Sequence, residues 1–365
     1  MKKIGIDEFL QLAKSFPIID VRSPGEYCHA HIPGGYNIPL FSDEERKIVG
    51  TIYKHQGRED AIKIGLDFFG VKMKNIVIEG EKISENHNSL TSGSKESGEI
   101  SGKTLLVHCW RGGMRSAGVA WLLDLYGFNV YALNGGYKAY RNWVLQQFER
   151  SFSFKMLGGY TGSGKTGVLK ELAKSGLPVI DLEGMAHHKG SAFGALGEYP
   201  QPTQEMFENE LAAKLYEVSE GATHAEIWLE DESRRIGSVN IPGALWASMR
   251  VAPLYFLDVP FEERLDYIVV QYGKFEKQDL LNAITRIQKR LGGQGAKDAM
   301  RYLNEGDVRE CFRILLCYYD KFYSKDIENR EQAEEPGMSL TSVFAMKKII
   351  CTTVDAVGNS RPLKD

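Results

Sequence analysis

At 107–118 the sequence reads VHCWRGGMRSAG. One cysteine, Cys109, closes an apolar run, and two glycines, two arginines and the start of a helical pattern follow it. A strand, a nucleophile, a glycine turn and a helix opening near Met114 make an anion cradle. Backbone N–H groups of the turn and the helix N-terminus face whatever binds above the sulfur. The same positive potential, with Arg111 and Arg115 close by, favours thiolate over thiol. Arg111, Gly112, Gly113 and Arg115 are therefore the expected binding set for the anion, and Cys109 is the expected nucleophile. A cysteine placed only for packing needs neither the glycine pair nor the arginines, whereas Cys28, Cys311, Cys317 and Cys351 carry no such surroundings.

A second loop lies at 158–166, GGYTGSGKT. Gly159, four residues, Gly164, Lys165 and Thr166 fit the Walker A pattern, between the apolar FKML and the helical VLKELAK. Gly159, Gly162, Ser163 and Gly164 would surround a diphosphate with N–H groups, Lys165 adds a point charge, and Thr166 is placed for a magnesium ion. The acids of AEIWLEDES, Glu230, Asp231 and Glu232, offer no clear Walker B choice, and nothing supplies a residue to orient water. The loop reads as a diphosphate holder more securely than as a nucleotide hydrolase.

The elements that must position these loops are legible as apolar runs at 16–21, 104–108, 129–133, 154–158, 178–182, 225–229 and 253–259. Amphipathic stretches separate them, such as Leu280, Ile284, Ile287 and Leu291 at helical spacing. The alternation predicts an α/β fold with largely parallel sheets. The segment 83–102, ISENHNSLTSGSKESGEISG, is poor in apolar residues and is expected to be a mobile insertion in the first domain. A boundary is expected near 148–153. The tail 330–365 carries no interpretable motif.

Composition bounds the function. The chain has 365 residues, 43% hydrophobic and 25% charged, with a formal charge of −3. No global positive field advertises nucleic acid, so an RNA site must be a local patch. Five scattered cysteines suit a reducing compartment. There is neither a signal-peptide pattern nor a run of membrane-spanning length, so a cytoplasmic location without a membrane partner is expected.

The stretch 18–40, IIDVRSPGEYCHAHIPGGYNIPL, resembles the rhodanese family, with Asp20, Val21, Arg22, Glu26, Tyr27, His31, Ile32, Pro33, Gly34, Asn37, Ile38 and Pro39 at its motif positions. That fold also hosts phosphatases. His108, Cys109, five residues, then Arg115 and Ser116 match the phosphatase spacing, in which the arginine clamps a phosphoryl group while the cysteine attacks it. The motif by itself leaves phosphatase chemistry and the carriage of sulfur or selenium both open.

CWRGGMRS joined to GGYTGSGKT is the arrangement of the tRNA 2-selenouridine synthase family. DLEGMAHHKGSAFG (181–194), QPTQEMFEN (201–209), ESRRIG (232–237) and KRLGG (289–293) resemble that family too, over roughly 5–325. The departures are 83–102 and Lys189, where the family more often has arginine. The resemblance implies a rhodanese-like domain over 1–148, then a P-loop NTPase-like parallel-sheet domain over 149–365 with a helical C-terminal part. It implies a transferase acting on tRNA that carries 2-thiouridine at the wobble position. The sulfur is first alkylated by geranyl diphosphate, and the S-geranyl group is then replaced by selenium from selenophosphate. On that reading Cys109 carries selenium as a selenylated thiol, the P-loop holds geranyl diphosphate, and no cofactor or structural metal is tightly bound. Arg234, Arg235, Lys274, Arg286, Lys289 and Arg290 are the basic residues available for RNA, and Phe193, Tyr199, Phe207 and Trp228 the apolar ones available for a prenyl chain. The competing readings are a rhodanese-fold cysteine phosphatase and a P-loop kinase with a regulatory rhodanese module. The sequence leaves the oligomeric state open.

Overall fold

The computed structural model divides into two compact units, Met1–Gln147 and Phe148–Asp365, and describes residues 1–91, 103–220, 226–332 and 347–349. The first unit contains β1 (Lys2–Ile4), α1 (Ile6–Ala13), β2 (Ile18–Asp20), α2 (Pro24–His29), β3 (Tyr36–Asn37), α3 (Asp43–His55), α4 (Arg58–Thr91), β4 (Thr104–His108), α5 (Met114–Tyr126), β5 (Asn129–Leu133) and α6 (Gly136–Gln147). Its sheet has the order β1-β5-β4-β2-β3 with every pairing parallel. Helices α1 and α6 lie against each other, and α4 and α5 pack together against β4. β4 is thus covered on both faces, which is why TLLVH is buried throughout and reads as a continuous apolar run. Serine capping boxes open α2 at Ser23 with Glu26 and α3 at Ser42 with Glu45.

The second unit contains β6 (Ser153–Gly159), α7 (Lys165–Lys174), β7 (Val179–Ile180), α8 (Leu182–Ala186), α9 (Gln204–Ser219), β8 (Glu226–Glu230), β9 (Arg235–Ile236), β10 (Val239–Asn240), α10 (Gly243–Arg250), β11 (Leu254–Leu257), α11 (Phe261–Tyr272), α12 (Lys277–Leu291), α13 (Gly293–Glu305), α14 (Val308–Gln332) and β12 (Lys347–Ile349). Its parallel sheet runs β12-β11-β6-β8-β7, beside the small antiparallel hairpin β9-β10. Helices α11 to α14 enclose a second core around Leu265, Ile284, Leu303 and Phe312. Both sheets are parallel and the C-terminal part is mostly helical, as the α/β alternation predicts.

One segment departs from expectation. Residues 83–91, read as the start of a loop, are the last turns of α4, and 92–102 lie outside the described residues. The apolar stripe Phe69, Met73, Ile76, Val77 and Ile83 keeps helical spacing against the core, and Ser84 is buried beside it. The helix therefore extends past the point where composition turns polar.

Arg264 is 3% exposed, donates to Asp320 through two nitrogens at 2.8 and 2.7 Å, and also reaches the carbonyls of Val259 and Thr161. The Asp320 side chain is 22% exposed, so the carboxylate left behind is partly solvated and the cost falls short of the roughly 3–5 kcal/mol of a fully buried pair. We expect Arg264→Met to lower stability by about 1–3 kcal/mol in urea unfolding. Arg309→Met, which removes an exposed arginine bonded to Glu262 and Asp266, should leave the transition where it is.

Candidate active site

Cys109 follows the last residue of β4, and α5 opens five residues later at Met114. The sulfur is buried, with the residue 3% exposed, and lies 3.2 Å from the Ser116 hydroxyl. Backbone N–H groups of Arg111 and Ser116 also point at it. Burial opposes the charged form, but these hydrogen bonds and the Arg115 guanidinium outweigh it and hold the thiol below its ordinary pKa. The Ser116 hydroxyl also lies 3.1 Å from the Gly113 carbonyl, so it satisfies that acceptor or the thiolate with its single proton.

The N–H groups face the sulfur because the carbonyls are held elsewhere. Tyr137 and Lys138 of α6 donate to the Cys109 and Trp110 carbonyls at 2.8 and 2.9 Å. This close approach explains Gly112 and Gly136. Each has positive φ, and a Cβ would lie 2.6 Å from the Leu133 carbonyl at Gly112 or 2.3 Å from the Cys109 carbonyl at Gly136. Gly113 has open space around it and ordinary φ, so the glycine pair is required at its first member only.

The two arginines have different surroundings. Arg111 is exposed, and no described side chain pairs with it. Arg115 is half-buried and donates to Glu26 Oε2 at 2.8 Å. Glu26 also accepts from Ser23 in the capping box and faces Arg46 at 3.3 Å. Burial would raise its pKa, but the bonded Arg115, helped by Ser23 and Arg46, brings it down to about 2. Glu26 is a permanent carboxylate that fixes the loop arginine, a role that sequence reading did not give it.

Deeper in the unit, Asp20 and Arg22 form a fully buried pair at 2.5 Å, and Arg22 stacks on the Tyr137 ring and donates to the Ala30 carbonyl. His108 lies 3.7 Å from Asp20, and burial keeps it neutral. These groups hold β2, β4 and α6 together rather than touching the sulfur.

In the second unit the loop from Gly159 to Gly164 joins β6 to α7, with Gly159, Gly162 and Gly164 at positive φ. Lys165 Nζ donates to the Gly159 carbonyl at 2.9 Å, closing the loop on itself. Ser163 is 2% exposed and its hydroxyl lacks a partner. Thr166 donates to Glu183 at 3.4 Å. Of the three acids in AEIWLEDES, Glu230 accepts from the Leu182 N–H, Asp231 accepts from Tyr323, and Glu232 faces the lysine. Burial and the neighbouring Glu183 push the Glu232 carboxyl well above the usual range, against the pull of Lys165, and the two carboxyls are hydrogen-bonded. Glu232 is thus singled out only by the fold, as is Glu183 from the stretch 181–194.

The remaining candidates divide. Arg286, Lys289 and Arg290 share an exposed face of α12, where Arg286 acts on His188 and Arg290 on Tyr319. Arg234 and Arg235 belong to the separate β9-β10 hairpin region, and Lys274 lies over the Phe275 ring. Phe207 and Trp228 are core, and Tyr199 is 80% exposed. Phe193 lines a small cavity with Thr161, Ile268, Tyr272, Phe312 and Tyr319. Its volume of about 20 Å³ suits a single water. Among the described residues no His, Cys, Asp and Glu cluster is arranged to hold a metal ion, and no helix is long and apolar enough to cross a membrane.

Comparison with known proteins covers both units. The rhodanese-like domain family matches residues 6–142, and the tRNA 2-selenouridine synthase AAA domain family matches 152–336. The tRNA 2-selenouridine synthase of Sulfurovum sp. is 34% identical over 86% of this chain and 89% of its own length. Those of Bdellovibrio bacteriovorus and Hydrogenovibrio crunogenus are 34% and 33% identical, over 90% and 89% of this chain and 94% and 93% of theirs.

Two measurements check the geometry of the cysteine loop. The pH midpoint for alkylation of Cys109 by iodoacetamide should fall below that of a free cysteine and rise in Ser116→Ala, while Gly112→Ala should unfold the loop and Gly113→Ala should not. The lowered pKa of Glu26 adds stability that is fully present above its ordinary value of 4.5 and is lost as pH falls towards about 2. Acid titration of stability should therefore be shallower over that window in Glu26→Gln.

Proposed function

Because the chain belongs to the tRNA 2-selenouridine synthase family, we propose that it exchanges the sulfur of wobble 2-thiouridine for selenium in two steps, each served by one loop. In the first, the thiocarbonyl sulfur attacks C1 of geranyl diphosphate. The C–O bond breaks, diphosphate leaves into the N–H groups of Gly159 to Thr166 and onto Lys165, and the base loses its N3 proton. Lys165 exchanges its bond to the Gly159 carbonyl for one to the leaving group. Thr166 and Glu183 supply oxygens of the kind a magnesium ion takes, and such an ion would neutralise diphosphate there.

In the second step selenium from selenophosphate bonds to C2 of the base, and the geranylthio group leaves. S-alkylation has made a poor leaving group into a good one. The donor's phosphate is held by Arg111, Arg115 and the N–H groups around Gly112 and Gly113, with Cys109 acting on the donor. Arg234, Arg235, Lys274, Arg286, Lys289 and Arg290 are the cations for tRNA phosphates, contacts that weaken with salt.

The observation that supports this reading is a pair of glycine loops on one chain, one with backbone N–H groups and the Arg115 guanidinium around a buried cysteine, the other a glycine turn closed by Lys165. A diphosphate that departs needs a holder, and a phosphorus–selenium donor needs a thiolate.

Nucleoside mass spectrometry on a 2-thiouridine tRNA, supplied first with geranyl diphosphate and then with selenophosphate, tests it. Wild type should give S-geranyl-2-thiouridine and then 2-selenouridine. Lys165→Ala should lose the first product, and Cys109→Ser only the second. An unchanged tRNA with the wild-type protein would overturn the reading, and normal geranylation by Lys165→Ala would remove the P-loop from it.

A further inference from the structure

We propose that Cys109 attacks selenophosphate at phosphorus, taking the phosphoryl group onto its sulfur and releasing hydrogen selenide as the species that reaches the tRNA base. The inference rests on selenophosphate being the donor, as in the function proposed above, and replaces the selenylated thiol with a phosphorylated one.

Electron balance is the first argument. In selenophosphate the phosphorus is fully oxidised and the selenium fully reduced. Moving that selenium onto a cysteine thiolate as a perselenide raises sulfur and selenium by one electron each. Such a step needs a two-electron oxidant, or it ends in phosphite rather than phosphate. Attack at phosphorus needs neither. An S–P bond forms, the P–Se bond breaks with its electron pair on selenium, and selenium takes a proton from water and leaves as the hydrogen selenide anion. Water then cleaves the S–P bond to give phosphate and the free thiol. The selenide adds at C2 of the S-geranyl base, and the C–S bond breaks to expel geranylthiol.

Geometry is the second argument, because each group around Cys109 has a place in that sequence. The Arg111 and Ser116 N–H groups face the sulfur and hence the oxygens of a phosphoryl group above it. Arg115, six positions on, is fixed by Glu26 at 2.8 Å and so arrives at the phosphoryl oxygens already oriented. The Ser116 hydroxyl, 3.2 Å from the sulfur and 3.1 Å from the Gly113 carbonyl, can turn its proton to the sulfur when the thiolate is regenerated.

The leaving group supplies the third argument. Cleaving an ordinary phosphate ester requires an acid to protonate the departing alkoxide. Among the described residues the carboxyl bonded to this loop is Glu26, and its bonds to Arg115 and Ser23 keep it ionised, so it has no proton to give. Selenide is a far weaker base than an alkoxide and departs without that help. The loop is thus matched to a phosphorus–selenium bond and mismatched to alkyl phosphates, which accounts for phosphatase-like spacing in a chain belonging to a tRNA-modifying family.

The test uses the full chain and selenophosphate carrying radioactive phosphorus, with and without geranylated tRNA, quenched early and digested for mass spectrometry. Phosphorus should be found on Cys109, persist longer in Ser116→Ala, and be absent from Cys109→Ala. In parallel, Cys109→Ala is given geranylated tRNA and free hydrogen selenide. Formation of 2-selenouridine by this variant from selenide but not from selenophosphate is the expected result. Selenium rather than phosphorus on Cys109, or phosphorus on neither sample, would overturn the proposal, as would failure of selenide to rescue the variant. A wild-type protein that labels Cys109 with phosphorus yet leaves geranylated tRNA unchanged would uphold attack at phosphorus and instead count against the proposed function.

Discussion

A backbone loop attracts an anion only if its carbonyls are satisfied somewhere else. That constraint governs the cysteine loop. The N–H groups of Arg111 and Ser116 are available to the sulfur because the first amides of α6 hold the carbonyls of Cys109 and Trp110. α6 can come so close only where Gly112 and Gly136 remove two side chains. Its placement depends in turn on Tyr137 lying over the buried Arg22, and Arg22 on Asp20 at the end of β2. The motif residues of 18–40 do no chemistry themselves, yet the electrostatics of Cys109 rest on them.

Much of this was legible in the sequence. The seven apolar runs appear as strands near their expected places because a parallel strand covered on both faces must be apolar throughout. The strands not foreseen, Lys2–Ile4, Tyr36–Asn37, the β9-β10 hairpin and Lys347–Ile349, have only two or three residues each, too few to show a period. Residues 83–91 were misread because their composition is polar, while the helix is set by Ile76, Val77 and Ile83 on one face.

At the two loops the residue types and spacing were enough to single out Cys109 and the glycine turn before Lys165, since both patterns are local. The supporting groups were not local. Glu26 meets Arg115 across 89 positions, and Glu183 and Glu232 meet across two separate elements beside Lys165. Spacing carries no information about such pairs. Gly136 was likewise invisible as part of the site, because the carbonyl it accommodates belongs to Cys109.

The ion pair between Glu26 and Arg115 also bears on selectivity among anions. With Arg115's charge balanced by Glu26 and Arg111 out in solvent, much of the cradle's attraction comes from fixed N–H dipoles, whose field is short in range and depends on direction. A loop of that kind sorts ligands by shape and by the placement of their oxygens more than by total charge. The polyanionic surface of the RNA would therefore compete with the donor less than its total charge suggests, whereas inorganic phosphate, which shares the donor's tetrahedral oxygens, competes on equal terms of shape.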